Sequence, residues 1–495
     1  MSESYSRSFI KDNATVIIGH VLVYMKGIIL MPIVIKTVGV TVYGGFVLLS
    51  SILGIVYGIS SFGTGFRAKR FMPSTKDMTA RRDLFYPQFL FHMLSILLLS
   101  LLLILIDRQI NLYIYKNEIN YSVLIIPCYL ILYVLYSQAC GYFRNTSRIS
   151  YMTVATLCFP YLHIGLILLS FYYYNIITIN LLMLSQAFSA FLIVLPCFRI
   201  IFREIGVRFS FYNIEGLVSD IKLGFPLVLG FIVDFILAGS DRYLIAFYMT
   251  VTAVGNYNPG YVLGSVILII PKAMYIVISL LMSKAVDNNN EYEAHRILNY
   301  ALKIFLLLGI PFTIGSAILG RQILEVIANN QVADNAWLVV PIVAFGSLFC
   351  GLSFLFSSVL FVQKKTIAML KVNLTAAIFN LLSNFILLYF FRDIIVAAVT
   401  TLSSYFIAFI YINNVVKKED WQVDFQPIVI IKLTVASLVM GILLFWFSFN
   451  AVGVNTVGML AGEVTLGIAA YIGGVFTLGT FSKKELQFMK SWVCR

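Results

Sequence analysis

The stretch "GFPLVLGFIVDFILAGSDRYLIAF", Gly224 to Phe247, decides the fold. Its length and apolar content suit a membrane-crossing helix, since a hydrocarbon core of about 30 Å needs roughly 20 apolar residues. Yet it carries Asp234 near its middle and Asp241 with Arg242 further on. An ionisable group near the midplane costs about 2.5–3.5 kcal/mol on insertion scales, so it faces protein or a water-filled cavity rather than acyl chains. Asp234 and Asp241 are seven residues apart, which places them two turns apart on one helix face. One face of this helix is therefore expected to line a polar seam.

Segments of the same kind recur from end to end. Fourteen spans are predicted, over 14–38, 42–64, 85–106, 121–142, 151–174, 177–198, 223–247, 254–282, 299–320, 337–362, 373–391, 394–416, 428–449 and 457–479. The 495 residues are 60% hydrophobic and 12% charged, with a mean hydropathy of +0.93, against roughly 25% charged in soluble domains. The expectation is an all-α polytopic membrane protein. Segments between spans are short, so no soluble domain is expected and any chemistry belongs within or between helices. The first span lacks a small-residue cleavage site behind a short apolar core and reads as a retained helix.

The net charge of +13 sits where topology needs it. With a cytoplasmic N-terminus, 25 Arg and Lys lie on the cytoplasmic side and five on the other: Arg108, Lys116, Arg242, Arg321 and Arg392. The positive-inside rule then puts both termini in the cytoplasm, as an even span count requires. The basic excess is topogenic, and no nucleic-acid partner is expected. Six cysteines without a CxxC pair give neither a metal nor a disulfide framework, and His20, His92, His163 and His295 show no ligand spacing. No Walker motif is present.

An internal repeat divides the chain. "GFVLLSSI" at 45–52 and "GYVLGSVI" at 260–267 match at five of eight positions, behind Tyr43 and Tyr257. Each opens the second helix of a six-helix block, giving lobes over 1–215 and 216–418 and accessory helices with a basic tail over 419–495. Parallel repeats of this kind enclose a midplane cavity. Eight prolines (Pro32, Pro127, Pro160, Pro196, Pro226, Pro271, Pro311, Pro341) fall in predicted spans, where each can bend its helix.

Lys26, about 18 Å from either end of its span by helical rise, lies too deep to snorkel and is the leading anion contact. Asp234 is a candidate partner for Lys26 or Lys272 and, equally, a candidate coupling-ion site. Lys272, beside Pro271, is a second candidate anion contact. Asp241 and Arg242 read as a structural pair. Lys303 and Lys432 lie near a boundary and can snorkel, and Glu463 is expected near a wetted face. Among 29 Tyr and 41 Phe, most are expected in interface belts or lipid-facing packing, with a few tyrosines in the cavity.

With those residues in view, "LMPIVIKTVGVTVYGGF", the segment from Gly224 to Ile267 and "LGTFSKKELQFMK" resemble polysaccharide-biosynthesis flippases of the multidrug/oligosaccharidyl-lipid/polysaccharide exporter superfamily, most of all O-antigen flippases. Asp241-Arg242 followed by Val254-Gly255 and Tyr257 carries the resemblance most specifically. It implies two lobes around a V-shaped, cationic cavity working by alternating access. The implied cargo is an undecaprenyl-pyrophosphate-linked repeat unit, moved from the cytoplasmic to the periplasmic leaflet of a bacterial inner membrane. It also implies a polysaccharide polymerase and a chain-length regulator as neighbours. No cofactor is implied beyond H+ or Na+ for coupling, and no enzymatic activity. The alternatives are an ion-coupled drug or cation antiporter of the same superfamily and a membrane glycan polymerase, for which the chain lacks a long loop to hold catalytic groups.

Overall fold

The structure is a computed structural model describing residues 22–480 apart from 24, 209, 212–213, 420, 422, 425 and 451–456. The described residues are helical throughout, with no strand. Thirteen helices or helix pairs are long and apolar enough to cross a membrane, and each coincides with one of the predicted spans. The remaining span, 14–38, lies partly outside the described residues and is helical over 25–38.

By contacts the chain forms two compact units, Met1–Gly255 and Asn256–Arg495. The first holds α1 (25–38), α2 (Val40–Ser60), α3 (Gly65–Phe71), α4 (Met78–Ile110), α5 (Ile125–Asn145), α6 (Ile149–Tyr174), α7 (Ile179–Ile205) and α8 (Ile214–Tyr248). Its core lies where α4, α5, α6 and α7 meet, around Phe85, Tyr86, Tyr142, Phe143 and Ile201. Local sequence sets the helix starts. The Asp77 carboxylate accepts from the amides of Thr79 and Ala80 at the head of α4, and Thr178 accepts from Leu181 N–H at the head of α7, pairing donors that a helix start leaves unsatisfied.

Helix α8 runs antiparallel along α2. Gly224 meets Gly63 backbone to backbone, the Phe231 ring fills the space beside Gly58, and the Tyr243 hydroxyl donates to Leu48 O at 3.2 Å. Gly63 has φ +78°, a conformation glycine adopts without a Cβ penalty. These contacts put α8 in the first unit, and the division between units falls inside α9 (Val251–Ser265). The start of α9 is tied down by Glu118, whose carboxylate accepts from Val251 and Thr252 N–H. Gly255 is another close approach, because a Cβ there would meet the carbonyl of Val40 and its side chain. That close approach is the physical reason for glycine in the Val254-Gly255 motif, and Tyr257, two residues on, is fully buried.

In the second unit, α9 passes through a 3-10 turn, Val266–Leu268, into α10 (Ile269–Asp287), splitting one predicted span. There follow α11 (Glu291–Ile327), α12 (Asn330–Ala336), α13 (Val339–Val362), α14 (Thr366–Phe391) and α15 (Ile394–Lys418). Helix α13 is central, packed on α10, α11 and α15. The last two helices, α16 (Pro427–Asn450) and α17 (Val457–Thr477), form an antiparallel pair against α11. Gly467 sits on Leu444 and Gly474 on Ala436. Small residues at such seams let membrane helices approach closely.

Two readings change. Pro127, Pro271 and Pro341 occupy the first turns of α5, α10 and α13, where a missing N–H leaves no intrahelical bond unmade. Pro160, Pro196, Pro226 and Pro311 do stand inside helices, joined by Pro87 and Pro259. Glu463 is 4% exposed, on the inner face of α17 with Gly467, Tyr471 and Val475. The four share a face at helical spacing, so the packing seam that needs Gly467 also buries the carboxylate.

Candidate functional site

The site assembles in the first unit from residues whose spacing is local. On α5, Tyr129, Tyr133 and Tyr136 recur at i, i+4 and i+7, which puts three rings on one helix face. Tyr129 stacks on Tyr133 at 5.4 Å, and Tyr136 stacks on Phe159 of α6 at 4.7 Å. Tyr57 of α2 closes edge-on against Tyr133 at 4.8 Å. The Lys26 ammonium of α1 stands over the Phe159 ring, 5.5 Å from its centroid. Among the described residues Lys26 has no carboxylate partner. A half-buried cation held only by an aromatic face keeps most of its capacity to attract an anion, because cation–π attraction contributes about 0.5–2 kcal/mol.

Polar groups continue from the aromatic shelf. His92 of α4 is 3% exposed and held at both ring nitrogens, Nδ1 at 2.8 Å from Gln138 Nε2 and Nε2 at 2.6 Å from Ser60 Oγ. The Gln138 amide donates, so Nδ1 accepts, Nε2 carries the proton and the imidazole is neutral. Ser60 Oγ donates onward to Tyr57 O at 2.7 Å, and the Tyr57 hydroxyl bonds Ser137. The result is a chain of hydrogen bonds without a fixed charge. Cations gather beyond its far end: Arg144 ends α5 and acts electrostatically on Tyr57. Lys69 of α3 is pushed below the ordinary lysine range by loss of water and then by the Arg144 charge. His163, fully buried on α6, donates from Nε2 to Leu182 O at 3.1 Å and packs against Phe46.

The other predicted residues fall elsewhere. Asp234 is exposed on α8, whereas Asp241, two turns along the same face, is 2% exposed and accepts from the Arg242 backbone N–H at 2.9 Å. The single polar face expected from their spacing is thus two environments, because α8 is covered towards its C-terminal end and open near Asp234. The Arg242 guanidinium donates to Ala238 O at 2.8 Å. Lys272, in the second unit, is exposed with its ammonium 5.7 Å from the Phe354 ring centre. Lys303 is half-buried, and Lys432 donates to Gly479 O at 3.1 Å. His20 lies outside the described residues. His295 stacks on Trp421 at 4.4 Å. Sequence reasoning missed Tyr57, His92 and Gln138, which share no motif, while the i, i+4, i+7 tyrosines of α5 were a legible signal.

A desolvated cation, a ring shelf and neutral hydrogen-bonding groups suit a ligand with an anionic group and sugar-like faces. The model for "Polysaccharide biosynthesis protein" matches residues 9–279, more than half of the chain. The chain belongs to the polysaccharide biosynthesis protein family. A second model, MatE, matches residues 226–386. Among solved structures, a lipid II flippase, MurJ, in an inward closed conformation aligns with a TM-score of 0.74 at 16% identity, over 95% of this chain and 99% of that one. An inward-facing MATE-family multidrug resistance transporter of the MOP superfamily aligns at 0.65 and 11% identity, over 82% and 94%. The Vibrio cholerae MATE transporter VcmN aligns at 0.57 and 14% identity, over 85% and 99%. No curated protein matches. The fold is that of these solved structures, and thirteen apolar helices among the described residues make the chain a multi-pass membrane protein.

Proposed function

We propose that this protein is a flippase for a lipid-linked oligosaccharide, moving undecaprenyl-pyrophosphate-linked repeat units of O-antigen or a related surface polysaccharide from the cytoplasmic to the periplasmic leaflet of a bacterial inner membrane. The observation that carries the reading is Lys26 over Phe159, next to the shelf of Tyr57, Tyr129 and Tyr133. A pyrophosphate and its sugars cannot enter hydrocarbon unaided, since an unpaired buried charge costs many kcal/mol, while the polyprenyl tail stays in lipid at no cost. The protein has to supply only a polar seam. Lys26 meets the phosphate, the tyrosine faces pack on sugar rings, and His92, Gln138 and Ser137 offer neutral donors and acceptors. Alternating access of two lobes, coupling through Asp234 and a second phosphate contact at Lys272 belong to this proposal, as do cytoplasmic termini and the absence of enzymatic chemistry. A polymerase and a chain-length regulator, the neighbours that the resemblance implies, would receive the cargo after it crosses.

Removing the gene tests it: lipid-linked repeat units should accumulate facing the cytoplasm while surface glycan falls. The MatE match over residues 226–386 favours one alternative, an ion-coupled drug or cation exporter. Normal surface glycan with raised drug sensitivity in the deletion strain would select that alternative and reject the flippase.

A further inference from the structure

A groove of the first unit is lined without Lys26. It has a volume of about 690 Å³ and is walled by Phe89 of α4, Leu135 of α5 and Leu195, Phe198 and Phe202 of α7. That volume falls within the roughly 300–1,000 Å³ of ordinary small-molecule sites. Its walls are apolar, but its rim carries Arg199 and Arg203, four residues apart and so on one face of α7. Both are exposed, and neither has a carboxylate partner among the described residues. The adjacent acid, Glu204, is committed elsewhere, to Arg81 at 3.1 Å and to Arg148 at 2.8 Å. Leu195, 54% exposed, marks the open side.

An apolar trough ending in two unneutralised guanidinium groups matches one kind of molecule that a membrane always supplies. The geometry points to a binding site for an anionic phospholipid of the leaflet that meets this basic end, with an acyl chain along Leu135, Leu195 and Phe198 and the headgroup phosphate held by Arg199 and Arg203. Guanidinium pairs grip phosphate by paired N–H donors, and basic pockets between membrane helices select anionic headgroups. The site is separate from the transport seam and does not rest on the flippase reading.

The test uses the full-length protein in bilayers of phosphatidylcholine doped with brominated lipid, with Leu195→Trp as a fluorescence reporter at the groove rim. Each guanidinium near a charged surface contributes about five-fold, so brominated phosphatidylglycerol should quench the reporter with roughly thirty-fold preference over brominated phosphatidylcholine at low salt. Arg199→Gln should reduce the preference to about five-fold, and Arg199→Gln with Arg203→Gln should abolish it, the variants keeping the same elution profile. Equal quenching by the two lipids with both arginines present would show non-selective contact and overturn the proposal. Displacement of brominated phosphatidylglycerol by a few mole per cent of a polyprenyl phosphate, but not by unbrominated phosphatidylglycerol, would assign the groove to a carrier lipid instead and overturn it as well.

Discussion

Replacing Lys26 with methionine separates a functional cation from a structural one by opposite signs. Burying a lysine near mid-depth costs about 2.5–3.5 kcal/mol. The Phe159 ring at 5.5 Å returns about 0.5–2 kcal/mol, and no carboxylate adds to it. The difference leaves about 0.5–3 kcal/mol of uncompensated cost. Methionine keeps the length and apolar contact of the side chain without the charge, so Lys26→Met should stabilise the folded protein by that amount. At 2–4 °C per kcal/mol for a unit of this size, Tm in detergent should rise by about 1–12 °C. Transport should move the other way. A hydrogen bond to a charged group contributes about 1.5–3 kcal/mol, so flipping of a lipid-linked oligosaccharide in proteoliposomes should fall by at least about ten-fold, with Lys26→Arg retaining most of it. A fall in Tm for Lys26→Met would show that the cation is a structural partner. Unchanged flipping would remove it from the seam. Either result refutes the reasoning.

Other outcomes follow from the same contacts. Gly255→Leu should cost about 1–3 kcal/mol by overpacking, because its Cβ would meet the Val40 backbone; Gly165→Ala, with open space at its Cβ, should leave the melting curve in place. Glu204→Gln should destabilise by about 1–3 kcal/mol, since two arginines lose their shared carboxylate, with Arg81→Gln restoring part of the loss in a double-variant melt. The Asp77 carboxylate is held below its ordinary 3.8 by hydrogen bonds from Thr79 and then Ala80. A depressed folded-state pKa stabilises above the unfolded value and the effect is lost as pH falls through the lowered one, so hydrogen exchange at the first turn of α4 should accelerate, after correction for intrinsic rate, only in that acid range. Tyr133→Ala should weaken flipping of a lipid-linked oligosaccharide more than flipping of a bare polyprenyl phosphate, as the two proteoliposome assays would show.

The helices were legible because each of the thirteen described spans is an apolar run of membrane length, a property of residues close in sequence. Helix boundaries inside a continuous apolar run were less so. The 3-10 turn at Val266–Leu268 is itself wholly apolar, and Ser265 before it and Pro271, whose missing N–H falls opposite the Ile267 carbonyl, were its marks in the sequence. The site was half legible. Lys26 announces itself, because a lone charge in a long apolar run has few explanations. His92, Ser60 and Gln138 do not, because each is an ordinary polar residue until three helices bring them within 2.6–2.8 Å. Glu463 shows the converse: its depth along α17 was readable, but whether it faced water or protein depended on which side Gly467 turns to Leu444.

The neutrality of the His92 chain fits a transporter better than a stronger site would. A ligand that must leave needs contacts favourable enough to capture it yet weak enough to release it, the condition that also governs conduction through selective pores. One cation backed by a ring provides the capture. Were His92 charged, a second fixed positive charge would stand close to Tyr57 and deepen the well for a pyrophosphate. Gln138 prevents this by occupying Nδ1 as a donor, which a protonated ring could not accept. Gln138→Glu turns that donor into a carboxylate acceptor and favours a charged His92. If the neutral chain sets release, flipping by Gln138→Glu should become pH-dependent between about 5 and 8, where a histidine near its unperturbed pKa titrates. Binding of a pyrophosphate-linked lipid should tighten at the acid end while turnover slows. A variant whose turnover and affinity stay flat across that range would show that His92 serves packing alone.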